Sequence, residues 1–491
     1  MNAPLAVFRC DASPVIGGGH VVRCVALAEA LVAAGWQCLF ATGPETTASM
    51  LSVLRHRHIV VCGVEREEAS AIATFDDGSC DLLVIDHYDR DALFETACRG
   101  WAGRTLVIDD LADRSHDCDM LLDQTPERTA ADYSKLVPTT CRLLLGPRYA
   151  LLRPQFAARR SEAIRRRANS QRARRILMSF GSTDLHGLAP RILAELLARD
   201  TSLEFDVTAG PIACPDLHRL VTESNGRITL HLAVQDMAAL MVTADLAIGA
   251  AGTSSWERCA LGLPAAMVIV ADNQRVIAER LVNAGAAILL GHHRSFNASA
   301  AAQLIIELAS DPDHLARLSD SASRLCDGRG IDRVRLALAG DEDDASGAPV
   351  TLRLAEPSDR EIIFTWQTRP HARRYARIPS PPSLDEHCRW FNAVLADPCR
   401  LLCVIEVEGK SRGVLRLDPV PDDQAFELSI LVDAPAQCRG VASAALRIAR
   451  RLVPGIALEA EVHPDNAASH ALFAKAGYRP GTLGKYRSMP Q

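Results

Sequence analysis

The sequence has no pair of cysteines at C-x-x-C spacing, although 15 of its 491 residues are cysteines. They are scattered through apolar or helical stretches of a long chain, so we expect reduced, mostly buried thiols and no disulfide framework. The missing spacing argues against a structural zinc site and a thioredoxin-like motif. No apolar run reaches the length that crosses a bilayer, and no basic stretch followed by an apolar run opens the sequence. We therefore expect a cytoplasmic protein with no membrane partner.

The chain also lacks an excess of basic residues, because its formal net charge is -6 at pH 7. This charge gives no general attraction for nucleic acid, so any bound anion must be held by local groups. With 48% hydrophobic residues the chain has ample material for packed cores. Its length corresponds to about three globular units, and one compact domain is not expected.

Short runs of Val, Ile and Leu alternate with helix-period segments from residue 5 to about residue 340. This alternation is typical of βα units around parallel sheets and predicts two Rossmann-like domains, at residues 1–157 and 174–339. Between them, at residues 158–173, an arginine-rich stretch is predicted to be an exposed connector. The predicted strands are residues 5–10, 37–42, 58–63, 81–86 and 104–109 in the first domain and 174–180, 204–210, 227–232, 244–249, 264–271 and 286–290 in the second.

The segment at residues 340–349, GDEDDASGAP, is acidic and rich in small, turn-forming residues. It is predicted to be a linker between independent units. After it the predicted order of strands and helices changes to a mixed α+β pattern over residues 350–491, which is the size of one ordinary domain. The fold class expected from the whole pattern is α/β, with two Rossmann-like domains followed by an α+β domain.

A glycine-rich turn follows the first predicted strand, in the sequence DASPVIGGGH. Three consecutive glycines at residues 17–19, the glycine turn, permit close approach of the backbone to a phosphate or sugar at the start of a helix. His20 then lies in the first helical turn, where the positive helix end favours the neutral imidazole that a general base needs. Asp11 is a candidate to orient His20. The alternatives are a capping histidine and a turn-forming aspartate.

The block DASPVIGGGHVVRCVALAEAL resembles the opening of the UDP-sugar hydrolases of pseudaminic acid biosynthesis. The resemblance continues in VIDDLADRSHDCDMLLDQ, LLLGPRYALLRPQF, RRILMSFGSTD and ADLAIGAAGTSSWERCALGLP, followed by ADNQ. It implies a fold of the GT-B type and hydrolysis of UDP-2,4-diacetamido-2,4,6-trideoxy-β-L-altropyranose to UDP and the free sugar. His20 would activate water on the face opposite UDP, and no metal is expected. Ser182 departs from the family pattern, in which a second glycine follows Gly181.

The resemblance also implies a ligand cleft between the two Rossmann halves. Parallel sheets bind ligands at the carboxyl ends of their strands, so the glycine turn is expected to face GAAGTSSWE, the second loop, at residues 249–257. Glu257 would accept hydrogen bonds from the ribose, or would only complement the helix dipole. The substrate-binding candidates are Gly17, Gly18, Gly19, Arg23, Gly181, Ser182, Gly252, Thr253, Ser254, Ser255, Glu257, Asn273 and Gln274.

Residues 437–442, QCRGVA, lie between a predicted strand and a predicted helix and fit the Q/R-x-x-G-x-G/A signature of the GCN5-related N-acetyltransferases. VHPDNAASHALFAKAGY resembles the second CoA-contacting segment of that family. The resemblance implies acetyl-CoA as cosubstrate, with its pyrophosphate at the helix N-terminus beside Arg439. The CoA-binding candidates are Leu431, Val432, Gln437, Arg439, Gly440, Val441, Ala442 and Asn466.

The catalytic groups of this last domain are less constrained by the pattern. Glu427 is a candidate to deprotonate the amine through water, and the alternative is an exposed strand glutamate. Many relatives have a tyrosine acid where this chain has Phe473, so Tyr478 and Tyr486 are the candidates here. The acceptor is expected to be a UDP-4-amino sugar, which would make the two activities consecutive; a protein amine is the alternative.

Two other functions fit the same pattern. The fold also serves glycosyltransferases that move a UDP-sugar to an acceptor. A non-enzymatic reading makes the arginine-rich stretch a tether to RNA or a membrane surface, with the sugar-binding fold as a scaffold. The oligomeric state is left open.

Overall fold

The structure is a computed structural model that describes residues 3–12, 17–43, 46, 60–63, 79–168, 172–181, 184–421 and 423–489. The chain divides into two compact units. The larger unit comprises Leu5–Glu29 and Cys38–Ile331, and the smaller unit comprises Met1–Pro4, Ala30–Gln37 and Asp332–Gln491. Among the described residues, no helix is long and apolar enough to cross a membrane.

The first sheet has seven strands in the order β3-β2-β1-β4-β5-β6-β7. Strand β1 pairs in parallel with β4, so the chain crosses over β2 and β3 before it returns to the middle of the sheet. Every residue of β4 is buried, as expected for a strand with both faces covered. Residues 58 and 59 of the predicted third strand lie outside the described residues. The strands are β1 (Leu5–Cys10), β2 (Gln37–Thr42), β3 (Val60–Gly63), β4 (Leu82–Asp86), β5 (Thr105–Ile108), β6 (Met120–Asp123) and β7 (Arg142–Leu145), and the helices are α1 (Gly19–Ala33), α2 (Ala92–Cys98) and α3 (Ala130–Tyr133).

The second sheet has six parallel strands in the order β10-β9-β8-β11-β12-β13. The prediction of two Rossmann-like sheets is therefore confirmed. The strands are β8 (Arg175–Ser179), β9 (Glu204–Ala209), β10 (Ile228–Leu232), β11 (Leu246–Ala250), β12 (Ala265–Ile269) and β13 (Ile288–His292). The helices of this region are α4 (Pro154–Ala168), α5 (Leu188–Arg199), α6 (Pro215–Glu223), α7 (Met237–Thr243), α8 (Ser254–Ala260), α9 (Arg275–Asn283), α10 (Ala298–Ala309) and α11 (Pro312–Leu325).

The arginine-rich stretch is not an exposed connector. Most of it is helix α4, and two of its arginines donate to backbone carbonyls near the ends of other helices. Arg160 donates to the carbonyls of Ala260, Cys326 and Ser323. Arg167, which is 7% exposed, donates to those of Leu261, Met241 and Ala244. Two arginines of the stretch therefore satisfy carbonyl groups in the larger unit, and the prediction of an exposed connector is wrong for Arg160 and Arg167.

Replacing Arg167 with methionine is expected to lower the free energy of unfolding of the larger unit by about 2–3 kcal/mol, because three buried carbonyls lose a charged donor. Methionine keeps the apolar part of the side chain, so the packing changes little. Urea denaturation of the full chain measures the effect, with exposed Arg165→Met on the same helix as the matched control. Equal stability of the two variants would contradict a structural role for Arg167.

The smaller unit contains a mixed sheet in the order β14-β15-β16-β17-β18-β19-β21-β20. Strands β14 to β18 pair in antiparallel fashion. Strand β18 then pairs in parallel with β19, but only over Ala425–Glu427 and Ala457–Glu459, and the rest of β18 up to Val432 has no pairing with β19. The strands are β14 (Glu342–Asp343), β15 (Pro349–Leu354), β16 (Leu401–Val407), β17 (Lys410–Pro419), β18 (Ala425–Val432), β19 (Ala457–Glu461), β20 (Arg479–Pro480) and β21 (Lys485–Arg487). The helices are α12 (Gly330–Ala339), which begins in the larger unit, α13 (Arg360–Thr368), α14 (Pro370–Arg373), α15 (Leu384–Ala396), α16 (Val441–Leu452) and α17 (Ala467–Lys475).

The acidic segment at residues 340–349 is built into the smaller unit. Its strand β14 pairs with β15, and Glu342 forms ion pairs with Arg447 and Arg451 of α16. The side chain of Asp344 is buried. The segment is thus a folded edge of the sheet, and it is not a free tether as the prediction of a linker between independent units implied. The predicted domain boundaries remain predictions.

Candidate active site

His20 is the second residue of α1, and it is buried among polar groups. It is 6% exposed, and its Nδ1 lies 3.7 Å from Oδ1 of Asp86. The ring meets that of Tyr88 edge to face, with 4.6 Å between the ring centroids. Asp86 ends β4, where it lies opposite Cys10 of β1, and Tyr88 follows in the next loop. The central strands of the sheet therefore deliver a carboxylate and a phenol to the same imidazole.

The environment of His20 favours the neutral ring. Burial lowers the pKa of His20, Asp86 raises it by a smaller amount, and Arg23 lowers it again. The resulting pKa is below its usual value near 6.5. An imidazole of this kind is unprotonated at neutral pH and can accept a proton, as a general base must.

Arg23 follows His20 by one helical turn and is enclosed by two carboxylates. Its Nε and Nη2 each donate to Asp86 at 2.6 Å, and its Nη1 donates to the carboxylate of Asp110 at 2.9 and 3.0 Å. Arg23 is only 2% exposed and all three of these nitrogens are engaged within the fold. The prediction that it binds substrate is therefore wrong for this structure. Burial raises the pKa of Asp86, but the charge of Arg23 outweighs burial and holds this pKa below its ordinary value.

Asp11 does not contact His20 as predicted. Its carboxylate accepts hydrogen bonds from the Gly43 backbone N–H at 2.6 Å and from Arg9 at 2.9 Å, and it lies 3.0 Å from Nε2 of His87. Burial raises the pKa of Asp11. The hydrogen bonds to His87 and Arg9 together lower it by more, so the pKa of Asp11 lies well below its usual range. The carboxylate beside His20 is that of Asp86, so Asp11 is a neighbouring structural group in the same loop region.

The second Rossmann half contributes Asn273 and the second loop to the same place. Asn273 Nδ2 donates to the hydroxyl of Tyr88 at 2.7 Å. Its Oδ1 is buried and has no hydrogen-bond partner in the part of the chain that the structure describes. A Cβ atom on Gly19 would lie 2.7 Å from Oγ1 of Thr253, so a larger residue there would force the Thr253 side chain to shift. The two loops predicted to face each other do so.

The remaining substrate-binding candidates divide into three groups. Ser255 is 2% exposed and its hydroxyl accepts from Arg258 at 2.8 Å, so it faces the protein interior and its predicted role is wrong. Ser182 lies outside the described residues. The others line the loops: Gly17, Gly18, Gly181, Gly252, Thr253 and Ser254 are exposed or partly exposed, and the Gln274 amide nitrogen would lie 3.4 Å from a Cβ on Gly252.

Glu257 lies in the first turn of α8, 4.0 Å from Nη2 of Arg153. Burial raises the pKa of Glu257, and the charge of Arg153 opposes this rise only in part. Arg153 belongs to the segment before α4 and was not among the sequence candidates. Arg153 places a positive charge near the second loop. Arg153 and Glu257 are about a hundred positions apart in the sequence, so the sequence alone does not show that they are neighbours.

Sequence reasoning also missed Asp86, Tyr88 and Asp110. Asp86 ends the predicted strand 81–86, and Tyr88 and Asp110 come just after the predicted strands, in VIDHYD and VIDDL. A polar residue at the carboxyl end of a parallel strand is the signal that marks a ligand edge. Among the described residues, no group of three or more His, Cys, Asp or Glu side chains could hold a metal ion.

In the smaller unit, residues 437–442 form the CoA loop at the start of α16. Gly440 caps this helix in the left-handed conformation, with φ of 85°. Gln437 Nε2 donates to the carbonyl of Val432 at 3.0 Å, which fixes the loop to the end of β18. Arg439 and the glycine cap precede a twelve-residue helix, and the pairing of β18 with β19 ends after Glu427. The start of such a helix is suited to a pyrophosphate, and the place where the two strands part is suited to the chain attached to that pyrophosphate. Val441 and Ala442 open α16, and Leu431 and Val432 are partly exposed at the end of β18.

The other predicted acetyltransferase residues have defined partners. Asn466 caps α17 by accepting from the Ser469 N–H at 3.2 Å. Glu427 is paired with Arg377 at 2.6 Å, and Arg377 also contacts Glu461 at 2.7 Å. The Tyr478 hydroxyl is buried with no hydrogen-bond partner among the described residues, and burial raises its pKa. Tyr486 instead shares a 2.9 Å hydrogen bond with Nδ1 of His470.

Two segments of the chain match known protein families. Residues 350–479 match the acetyltransferase (GNAT) domain. The C-terminal part of the chain is a GNAT domain. Residues 181–324 match the glycosyltransferase family 28 C-terminal domain. The larger unit therefore has the two Rossmann-like sheets of a GT-B fold, joined in one chain to a GNAT domain.

Curated relatives cover parts of the chain. It is 27% identical over 191 residues to the UDP-2,4-diacetamido-2,4,6-trideoxy-beta-L-altropyranose hydrolase of Campylobacter jejuni, which covers 39% of this chain and 65% of the relative. It is 29% identical over 152 residues to the UDP-N-acetylglucosamine--N-acetylmuramyl-(pentapeptide) pyrophosphoryl-undecaprenol N-acetylglucosamine transferase of Xylella fastidiosa, which covers 30% of this chain and 41% of the relative. The chain thus spans less than two thirds of each of these relatives.

Among solved structures, the chain aligns with that of Acinetobacter baumannii MurG. It is 16% identical and aligns with a TM-score of 0.49 over 68% of this chain and 98% of that chain.

Proposed function

We propose that the larger unit hydrolyses UDP-2,4-diacetamido-2,4,6-trideoxy-β-L-altropyranose to UDP and the free sugar. We further propose that the GNAT domain transfers an acetyl group to the amine of the UDP-4-amino sugar precursor. The observation that carries the first activity is a buried His20 beside Asp86 and Tyr88, at the point where the glycine turn meets the second loop. The partial likeness to a hydrolase of this substrate supports the same choice.

In the proposed reaction His20 removes a proton from water. The water oxygen forms a bond to the anomeric carbon while the bond from that carbon to the β-phosphate oxygen breaks, and UDP leaves with the electron pair. Asp86 lies beside Nδ1 of His20, which favours a proton on that nitrogen and leaves Nε2 as the base. Attack on the face opposite UDP inverts the anomeric centre.

The substrate would be held by groups from both Rossmann halves. The backbone N–H groups of Gly252, Thr253 and Ser254, with the hydroxyls of Thr253 and Ser254, would donate to the diphosphate, because stabilising the leaving group contributes most to catalysis. Glu257 would accept hydrogen bonds from the ribose. The buried Oδ1 of Asn273 is an acceptor that needs a donor, and the N–H of a sugar acetamido group provides one.

The GNAT domain would bind acetyl-CoA along the CoA loop. When bound, acetyl-CoA supplies the acetyl group as a thioester. The backbone around Leu431 would polarise the thioester carbonyl, and Arg439 would meet the pyrophosphate. Glu427 is proposed to take the amine proton through water, and Tyr478 is proposed as the acid. We also propose a cytoplasmic enzyme that has UDP-amino sugars as its substrates.

The deciding experiment incubates the full chain with the UDP-diacetamido sugar and no acceptor, and follows UDP and free sugar by chromatography and NMR. Equal amounts of UDP and free sugar are the expected result. UDP release that requires an added acceptor would show a glycosyltransferase instead. A second incubation, with acetyl-CoA and either the UDP-4-amino sugar or a peptide amine, identifies the acceptor by release of the CoA thiol.

The pH dependence of hydrolysis follows from the lowered pKa of His20. Because this pKa lies below 6.5, the neutral base persists to more acidic pH than an ordinary histidine would allow. We expect kcat/KM to fall towards acidic pH with a midpoint below 6.5. Initial rates of UDP release across this range measure the effect, after checking that the protein stays folded. A midpoint above pH 6.5 would contradict His20 as the base in this environment.

A further inference from the structure

The turn that follows β14, residues 344–347 (the acidic turn), lies against the CoA loop. The backbone N–H of Ala345 donates to the carbonyl of Arg439 at 2.7 Å. A Cβ atom on Gly440 would lie 2.9 Å from the same nitrogen, so the contact is close enough to demand glycine. Nη2 of Arg439 lies 3.3 Å from Oγ of Ser346 and 3.4 Å from Oδ2 of Asp344. The arginine expected to meet the pyrophosphate thus already faces an internal anion.

The two oxygens of Asp344 are in different situations. Oδ1 accepts from the N–H and hydroxyl of Ser346, at 2.7 and 2.5 Å, and from the N–H of Ala348 at 3.1 Å. Oδ2 is buried and has no hydrogen-bond partner within the described residues. The side chain has no solvent exposure. Arg439 is therefore the charged group that faces the otherwise unmatched oxygen, and its withdrawal would leave a buried charge without compensation.

The rest of the acidic segment is fixed along α16, so the turn is held in place. Glu342 pairs with Arg447 at 2.7 Å and also with Arg451. Arg451 in addition donates through Nε to the carbonyl of Ala339 at 2.7 Å. These contacts extend from the last turn of α16 back to its glycine cap. The carboxylate of Asp344 consequently cannot move away without loss of several contacts.

We propose that Asp344 competes with the pyrophosphate of acetyl-CoA for Arg439, and so limits the affinity of the GNAT domain for its cosubstrate. This inference rests on the acetyl-CoA site of the proposed function. When the pyrophosphate arrives, Arg439 must divide its charge between the ligand and Asp344, and the fixed carboxylate repels the ligand. The acidic turn, which belongs to the segment that precedes the GNAT domain, thus lowers the affinity for the cosubstrate.

The test measures binding of coenzyme A to the full chain by isothermal titration calorimetry. Asp344→Asn keeps an oxygen for the bonds at Oδ1 but removes the charge, and we expect its Kd to fall about tenfold. The matched control is Asp343→Asn, which removes the same charge from an exposed neighbour in β14. Its Kd is expected to stay within about twofold of the wild type, since exposed charges are screened.

A second arm repeats both measurements with Arg439→Gln. If Asp344 acts through Arg439, the gain from Asp344→Asn shrinks in this background, as a double-mutant cycle detects. Unchanged or weaker binding by Asp344→Asn, an equal gain in Asp343→Asn, or an undiminished gain without Arg439 would each overturn the inference. Acetyl transfer by the wild type is assayed separately. A failure of the inference about Asp344 can therefore be distinguished from a failure of the proposed acetyltransferase activity.

Discussion

His20→Ala is expected to lower the rate of UDP release at least about a hundredfold, because general bases contribute factors of 10² to 10⁴. His87, a neighbouring imidazole that interacts with His20, already has a partner at each ring nitrogen, Asp11 and the backbone N–H of Asp89. The affinity for UDP is expected to change little, since the diphosphate contacts lie in the second loop. Turnover assays of the full chain measure the rate, and calorimetry with UDP measures the affinity.

The matched control is His218→Ala, which removes an imidazole from the exposed face of α6. This variant is expected to keep wild-type turnover. If His20→Ala retained more than about a tenth of the rate, proton removal by this ring would contribute too little to count as general base catalysis. If instead UDP affinity fell together with the rate, His20 would act in binding.

The strand pattern predicted both Rossmann-like sheets but not the partner of His20. Asp11 is the candidate that the sequence offers, because it comes at the end of the first strand, near His20. In the fold β1 pairs with β4, so Asp86 comes opposite the end of β1 from 76 residues further along the sequence. Local order in a βα chain gives the strands, whereas strand order depends on crossover connections that leave no short-range signal.

The arginine-rich stretch is a second case in which the sequence alone does not predict the partners of a residue. Without knowledge of tertiary neighbours, six arginines against one glutamate in residues 158–173 indicate an exposed connector. The carbonyls that accept from Arg160 and Arg167 lie 74 to 166 residues away, near the ends of several helices. An arginine that satisfies unpaired helical carbonyls needs no carboxylate, so nothing in the local charge pattern distinguishes it from a surface residue.

Ser255 is a third example, because it belongs to a motif that was located correctly. The second loop does face the glycine turn, yet one of its two serines points into the interior and bonds to Arg258. A helix that starts at Ser254 places successive side chains about 100° apart, so the two adjacent serines point in different directions. Helical periodicity applied within the motif would have separated Ser254 from Ser255.

Arg23→Met is expected to lower the free energy of unfolding of the larger unit by about 3–5 kcal/mol, because it leaves two buried carboxylates without a counter-charge. Asp86 is 1% exposed and Asp110 is 8% exposed, and Arg23 donates two hydrogen bonds to each of them. Urea denaturation of the full chain at pH 7.5 measures the loss. Arg219→Met, at an exposed ion pair with Glu223 on α6, is the control and should change stability by less than about 1 kcal/mol.

The pH dependence separates a lost charge partner from lost packing. In the wild type the pKa of Asp86 is held below its ordinary value, so its contribution to stability is present above that value and is lost as pH falls through the folded-state pKa. Without Arg23, burial raises the folded-state pKa of the same carboxyl, and the variant gains stability as the pH falls and the group takes up a proton. The difference between wild type and Arg23→Met should therefore narrow from pH 7.5 to pH 5. If the difference in free energy of unfolding stayed constant, the loss of stability would come from packing of the apolar part of the arginine side chain. The ion pairs of Arg23 would then not be what holds Asp86 beside His20.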